Sequence, residues 1–571
     1  MTQHVYKAKS IVTMDPENPR AEAVAVDSGR IVAVGSLDQC TSAVNQAEIT
    51  DLGDKVLLPG FIDPHSHPMV SGLLTQAPTH WIAPYVGFPT WADVQTEFRR
   101  LDKELPEGQP VLFNGLDRLL QEVDELTASD LDEFFANRPA AVLDNSGHEA
   151  YFNTATIKLL GWPDQKPPAD PQGAHFGRND DGTSNGRAYE TAAIMMALQP
   201  LIAVVATHPL QQVAKFYQLM STNGLTATAD LTYESTNHDG YMALASVPHS
   251  PLRVWLYQMS IDAEAGAKFE SPIPSEKLDK IGIKLWADGS PWVGTIAASF
   301  PYLDNDRVRK AAIPIGPGGT EMLNYTPEQL QATLEQHVPE GWQMAFHVNG
   351  DLGLDIVLDE YEKALTKFDL LGTDHRWRVE HCGAARPEQF ERAAKLGVAV
   401  SLAPFQFIYW GDLLDGTLFP PEIGSQWQRF GDAVKSGAKV SFHNDGMVSP
   451  PIPLLNIQSA ITRKTPSGQL HGPEQIISLD DALKAHTINA AYTLHRDKDL
   501  GSIEVGKLAD FVELSKDPYE ADPDKLTDEV KVTGTFIDGE RIDLDAFLAA
   551  VQAIDPTEHH DLRRSVKKDC C

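Results

Sequence analysis

Eight short apolar runs alternate with helical stretches along most of this 571-residue chain, and this order limits the folds that it can form. The first run ends at residue 67, and the others cover residues 224–230, 253–257, 282–288, 343–348, 377–381, 398–402 and 439–445. A repeated order of strand and helix is typical of parallel βα units. Because eight such units close on themselves, we predict an α/β fold of the (β/α)8 TIM barrel class.

Both ends of the chain carry short β-branched runs outside this repeat. Residues 23–35 form a hairpin pattern around a Ser-Gly turn, and residues 501–514 and 530–541 have the same composition. Each end is too short to fold alone, so we expect the two to pair into one flanking β-sandwich. We therefore predict sandwich parts at 1–57 and 500–545, the barrel at 58–499, and a C-terminal helix or tail at 546–571.

About 150 residues separate the first predicted barrel strand from the second. A plain βα connection needs far fewer residues, so we predict an inserted subdomain from about 70 to 201. The insertion leaves the C-terminal end of the first strand. We therefore expect it to overhang the mouth of the barrel as a lid.

The formal net charge of −33 argues against nucleic acid or an anionic membrane as a partner. No stretch approaches the ~18–20 apolar residues that span a bilayer, and the first twenty residues show no signal-peptide pattern. Four cysteines suggest a reducing compartment: Cys40, Cys382, Cys570 and Cys571. We expect a cytoplasmic protein that acts on a small molecule, and a homodimer stays open.

The terminal pair Cys570-Cys571 follows a basic stretch, so a prenylation site is one interpretation. An exposed tail is the simpler one.

His65 and His67 come directly after the first apolar run. Residues spaced i, i+2 project from the same face of an extended strand, so the two imidazoles could bind one metal ion from one side. For this motif alone, histidines that cap a buried strand are the alternative. The position at the end of a barrel strand favours chemistry, because barrel enzymes keep their active sites there.

Lys284 lies in the fourth run and alternates with Ile283 and Leu285. If the aliphatic side chains pack against the outer helices, Lys284 points into the barrel, where an unpaired ammonium is costly. Carboxylation by CO2 would convert it into a carbamate able to bridge two metal ions. The alternative is a salt bridge to a nearby carboxylate such as Asp288.

Two further histidines stand at the ends of predicted strands. His347 alternates with the apolar residues of the fifth run, and His381 follows Glu380 and precedes Cys382 in the sixth. Neighbours in a strand point in opposite directions, so only one side of this triplet is expected to meet a metal ion. A structural histidine is the alternative at both positions.

In the eighth run, Asp445 shares a face with Ser441 and His443. An aspartate at a strand end could bind metal and take a proton from an attacking water, and an exposed loop aspartate is the alternative. Four histidines, one lysine and one aspartate thus stand at five strand ends of one predicted barrel. Imidazoles combined with hard carboxylates suit zinc, and manganese, iron and nickel stay open.

Taken together, these motifs resemble the amidohydrolase superfamily, and specifically amidohydrolase family 3, the branch that includes N-substituted formamide deformylases. The resemblance extends from about residue 8 to residue 541. The matching stretches are 58–67, 146–148, 283–290, 347–351, 378–381, 489–491 and 501–510.

The resemblance implies a metal-dependent barrel hydrolase with two ions held by side chains of five strands. The implied ligands are His65, His67, Lys284, His347, His381 and Asp445. His65 and His67 would hold the more buried ion, and His347 and His381 the second. Lys284, as its carbamate, would bridge the two ions, which we expect to be zinc.

The implied reaction is hydrolysis of a C–N bond in an amide, an N-substituted formamide or a similar small molecule by a metal-activated hydroxide. Asp445 would act as the general base and pass the proton to the leaving nitrogen. His148, in the insertion, could bind the substrate or serve a structural role there. Hydrolysis of a lactone or ester, or decarboxylation, is the alternative on the same scaffold, and a metal-free binding or regulatory protein is the alternative of another class.

Overall fold

A parallel eight-stranded barrel forms the centre of the molecule. The computed structural model describes residues 3–45, 47–171 and 173–554. The barrel strands, labelled β1 to β8 in chain order, are Phe61–Ser66, Leu225–Tyr233, Arg253–Met259, Leu278–Trp286, Gln343–Val348, Arg378–His381, Ala399–Leu402 and Val440–Phe442. Each strand pairs in parallel with the next along the chain, which confirms the predicted (β/α)8 barrel.

The eighth strand is shorter than predicted. The sequence pattern gave 439–445, whereas β8 covers only Val440–Phe442. Asp445 has a φ of 60°, outside the strand region, so the chain turns before it reaches this residue. The pattern gave 343–348 for the fifth strand, and β5 has these limits.

Alternation along the strands decides which side chains face the interior. In β4, Ile283 and Leu285 pack with the outer helices, so Lys284 faces the barrel axis. Gly282 lies on the same side, where an added Cβ would come 2.4 Å from the ring of Tyr257. A glycine is therefore required for β3 and β4 to approach each other this closely.

Helices surround the barrel and fill its connections. Those of eight residues or more are Pro68–Thr75, Trp91–Glu104, Glu190–Val205, Pro209–Thr222, His238–Ser246, Pro327–His337, Asp351–Lys367, Pro387–Leu396, Pro404–Leu414, Pro453–Thr462 and Leu544–Gln552. The shorter α-helices are Leu37–Ser42, Ala128–Asp132, Thr154–Leu160, Asp306–Lys310, Pro421–Gly424, Phe430–Lys435, Leu479–Ala485, Ile488–Thr493 and Leu526–Glu529. Many start with proline, whose fixed φ and missing N–H suit the first helical position.

The two ends of the chain form one eight-stranded sheet beside the barrel. Its strands are Gln3–Val12, Arg20–Asp27, Arg30–Gly35, Glu48–Asp51, Val56–Pro59, Phe511–Leu514, Val532–Ile537 and Glu540–Arg541. Phe511–Leu514 pairs antiparallel with Val56–Pro59, which joins the two ends. The predicted hairpin turn is present, because Ser28 and Gly29 both have positive φ values, as a two-residue primed turn requires.

The segment between β1 and β2 contains a six-stranded sheet. Its strands are His80–Trp81, Val111–Leu116, Ala140–Asp144, Glu149–Phe152, His175–Arg178 and Ser184–Tyr189. The limits predicted for the separate units stay predictions. The Cys570-Cys571 tail lies outside the described residues.

Across the described ranges, no single helix is long and apolar enough to cross a bilayer. The helices Glu190–Val205 and Pro209–Thr222 have that length and composition only when taken together, and they meet at an angle of 99°.

A buried ion pair ties the barrel to the terminal sheet. Arg253, at the start of β3, donates from Nε to Asp510 Oδ2 at 2.7 Å and from Nη2 to Asp510 Oδ1 at 3.0 Å. Both side chains are 2% exposed. Asp510 directly precedes the strand Phe511–Leu514, so the pair fixes the position of that strand against the barrel.

We predict that Arg253→Met lowers the free energy of unfolding by about 3–5 kcal/mol, because Asp510 is left buried without its partner. Urea denaturation followed by circular dichroism measures this loss. Arg309→Met is the matched control, since Arg309 and its partner Asp304 are more than half exposed, and about 1 kcal/mol or less is expected there. Equal losses in the two variants would contradict the assignment.

Candidate metal centre

The carboxylate of Asp445 lies between two histidines at the C-terminal end of the barrel. Its Oδ1 is 2.9 Å from Nε2 of His67 and 3.2 Å from Nε2 of His65. One ligand atom from each of the three residues falls within 4.8 Å of the other two, and all three residues are buried. This set of two imidazoles and one carboxylate can hold a divalent ion.

The local backbone brings these residues together. The N–H of Asp445 donates to the carbonyl oxygen of His65 at 3.2 Å, across the seam between β8 and β1. The next residue, Gly446, has a φ of 53°, and an added Cβ would lie 2.8 Å from the backbone nitrogen of His67. Only glycine allows this close approach, so the turn after β8 is fixed against the end of β1.

The protonation states in this group suit metal ligands. Burial alone would raise the pKa of Asp445, but the neighbouring His65 and His67 outweigh it and hold this pKa well below its usual range. Burial lowers the pKa of His65 well below its usual value, and the nearby Lys284 and His443 add to the effect. An anionic carboxylate beside neutral imidazole is the state that binds a cation without losing protons first.

More histidines lie next to the first group. His381 and His443 approach each other to 3.1 Å between Nδ1 and Nε2, and the His443 ring stacks on His65 with centroids 4.5 Å apart. The ring of His347 lies 4.5 Å from that of His381. Ligand atoms of His65, His381 and His443 also fall within 4.8 Å of one another. This second group of three buried imidazoles shares His65 with the first group.

His443 was not among the predicted ligands, although it lies two residues before Asp445 on the same predicted strand face. In the structure, His443 is fully buried, and its Nδ1 lies 2.8 Å from Ser401 Oγ.

Glu380 supports the first group from inside the barrel. Its Oε2 lies 2.7 Å from Nδ1 of His65 and accepts from Arg378 Nη2 at 2.8 Å. Neither Glu380 nor Arg378 is exposed. A proton held on Nδ1 by Glu380 leaves Nε2 of His65 to face Asp445, which is the tautomer that a metal ligand needs.

At the end of the sixth strand, only one side of the triplet Glu380, His381 and Cys382 was expected to meet a metal ion, and this stays a prediction. The structure turns both Glu380 and His381 inward, because His381 has a φ of 68° and leaves the strand conformation.

Lys284 is fully buried, and its Nζ has no hydrogen-bond partner among the described residues. Asp288, the alternative salt-bridge partner, instead accepts the backbone N–H groups of Ala297, Asn349 and Gly350 at 3.1, 2.9 and 2.7 Å. Burial lowers the pKa of Lys284 to about 8, so part of it is a neutral amine near neutral pH. A neutral buried amine is the form that reacts with CO2, so this residue fits the predicted carbamate.

These groups open into one cavity of about 220 Å³. His148 reaches it from the insertion. Its Nδ1 lies 2.8 Å from Glu190 Oε2, and its ring is 5.4 Å from that of His347. Burial alone would lower the pKa of His148, but the Glu190 carboxylate outweighs it and raises this pKa.

The structure brings all seven predicted site residues to this end of the barrel. Six line the cavity: His65, His67, His148, Lys284, His347 and Asp445. The seventh, His381, lies against the rings of His65 and His347. Their roles as metal ligands, base and substrate contact stay predictions.

Comparison with known proteins identifies relatives along nearly the whole chain. Residues 48–543 match the model of the amidohydrolase family. An N-substituted formamide deformylase from Arthrobacter pascens is 25% identical over 540 residues, covering 93% of this chain and 96% of the relative. The protein LONG AFTER FAR-RED 3 from Arabidopsis thaliana is 26% identical over 566 residues, covering 93% and 90%.

Among solved structures, a metal-dependent hydrolase from Pyrococcus horikoshii, described as uncharacterized, superposes with a TM-score of 0.70 at 20% identity. The match covers 91% of this chain and 99% of that one. At this identity, the likeness shows a shared fold.

We predict that Glu380→Gln weakens zinc binding at least tenfold, because His65 loses the anionic partner that fixes its tautomer. Competition against a chromophoric chelator measures the affinity. Glu388→Gln is the control, since this carboxylate is 65% exposed and pairs with Arg386 at the surface. Wild-type affinity in Glu380→Gln would show that the contact does not support a metal site.

Proposed function

Because the chain belongs to the amidohydrolase family, we propose that it is a metal-dependent hydrolase that cleaves the C–N bond of an amide, an N-substituted formamide or a similar small molecule. One observation carries the proposal. The anionic carboxylate of Asp445 contacts His65 and His67 beside the unpartnered amine of Lys284, in one cavity. A cytoplasmic location and a homodimer are further proposals, which rest on the sequence alone.

The residues present fit a metal centre. His65, His67 and Asp445 would hold the first ion, and His347 and His381 a second. Lys284 as its carbamate would bridge them, and zinc suits this set of nitrogen and oxygen donors. Bound zinc supplies Lewis-acid polarisation of a carbonyl group and lowers the pKa of water to about 7.

The side chains then have separate tasks. Asp445 accepts a proton from the attacking water and passes it to the leaving nitrogen. A C–O bond forms and the C–N bond breaks, so an amide and water yield a carboxylic acid and an amine, with formate as the acid from a formamide. His148 would contact the substrate through Nε2, because Nδ1 is held by Glu190.

We expect dialysis against a chelator to abolish hydrolysis and added Zn²⁺ to restore it, because the metal supplies the polarisation. The assay follows amine release from a panel of N-substituted formamides and acetamides, with matched esters and lactones, and metal content is measured by mass spectrometry. Undiminished turnover by metal-free protein would refute metal dependence. Turnover of the esters or lactones alone would replace the amide assignment.

We predict that Asp445→Asn loses at least ~100-fold in kcat, because the amide cannot accept the proton of the attacking water. Fold and most of the bound metal are retained, since His65 and His67 are unchanged. The exposed Asp528→Asn serves as the control with unchanged rate. Full activity of Asp445→Asn would show that another group is the base.

A further inference from the structure

The helix Glu190–Val205 has no charged side chain after its first residue, although the chain as a whole carries a net charge of −33. One side of the helix packs into the core of the insertion with Ala193, Ala197 and Leu201. Another side lines the cavity with Ile194, Met195, Leu198, Gln199 and Ile202. The helix therefore offers the cavity a wall that is almost entirely apolar.

The helix Pro68–Thr75 completes this wall with Met69, Leu73 and Leu74. Apart from the histidines, Lys284 and Asp445, the cavity has one charged lining residue within the described part of the chain, Glu234, at the end of β2. No arginine and no other lysine lines it there. An anionic substituent would have no counterion at this wall and would share the cavity with the carboxylate of Glu234.

We infer that the substrate carries an uncharged apolar substituent, alkyl or aryl and without a carboxylate, which binds in an apolar subsite formed by the helices Glu190–Val205 and Pro68–Thr75. The inference rests on the proposed function and specifies its substrate class. Each methylene buried in such a subsite gains about fourfold in kcat/KM, by the ~0.8 kcal/mol of its transfer from water. A buried carboxylate without a partner is strongly disfavoured.

The test measures kcat/KM of the holoenzyme for N-propylformamide, N-hexylformamide and N-(5-carboxypentyl)formamide. The three corresponding acetamides are measured in the same way. We expect kcat/KM for the hexyl compound to be at least tenfold higher than for the propyl compound. It should be at least 100-fold higher than for the carboxypentyl compound. The longer chain buries three more methylenes, and the carboxylate has no partner.

Two lysine variants of the same helix locate the subsite. Ile202 lines the cavity, so Ile202→Lys is expected to lower kcat/KM for the hexyl compound at least tenfold and raise it for the carboxypentyl compound. Met196 is 45% exposed and lies outside the cavity lining, so Met196→Lys should leave both values unchanged. An equal response of both variants would overturn the subsite.

A binding measurement separates this inference from the proposed function. Fluorescence anisotropy of 2-methoxynaphthalene, an uncharged aromatic probe, gives a Kd that should rise at least tenfold in Ile202→Lys and stay unchanged in Met196→Lys. If amides are hydrolysed without preference for the apolar chain, the inference fails and the proposed function stands. If no amide is hydrolysed, the proposed function fails, and the probe alone decides: an unchanged Kd in Ile202→Lys would overturn the subsite.

Discussion

The seam between β1 and β8 is the contact on which the rest of the site depends. The N–H of Asp445 donates to the His65 carbonyl there, and Asn444 donates from Nδ2 to Asp63 Oδ2 at 3.1 Å. Burial raises the pKa of Asp63 to about 7. This buried carboxylate would destabilise the fold if Asn444 did not donate a hydrogen bond to it. Because the same turn directs the Asp445 side chain toward His67, the contacts that join β8 to β1 also bring the candidate metal ligands together.

The charges beneath this seam are unevenly matched. Glu380 and Arg378 satisfy each other through two contacts, whereas Asp445 lies near His65 and His381, whose pKa values burial holds low. The nearby Nζ of Lys284 has no hydrogen-bond partner within the part of the chain that the structure describes, and burial lowers its pKa as well. A buried carboxylate facing neutral nitrogen ligands is stabilised by a divalent cation. The incomplete balance is thus a physical reason for metal binding that is independent of any relative.

The parts that sequence reasoning predicted are those controlled by strand periodicity. The alternation of β4 and β5 places Lys284 and His347 inward, as the pattern indicated. The backbone leaves the strand conformation at His381 and Asp445, and the sequence carries no direct signal for their positive φ values. In a regular strand, Glu380 and its neighbour His381 would point to opposite faces, so the contact of Glu380 with His65 was not predicted.

The position of the apolar cavity wall could not be predicted either, although the sequence shows that the helix is apolar. That Glu190–Val205 is apolar follows from the sequence, but its contact with the metal ligands depends on the path of more than a hundred residues of insertion. The barrel contributes the imidazoles, the amine and the carboxylate, whereas this helix contributes the apolar subsite and, through Glu190, the partner of His148. Because Glu190 is the first residue of the helix that lines the subsite, a shift of this helix moves the His148 contact and the apolar wall together. A single helix therefore holds both the proposed apolar subsite and the partner of His148, whereas the candidate metal ligands lie on the barrel.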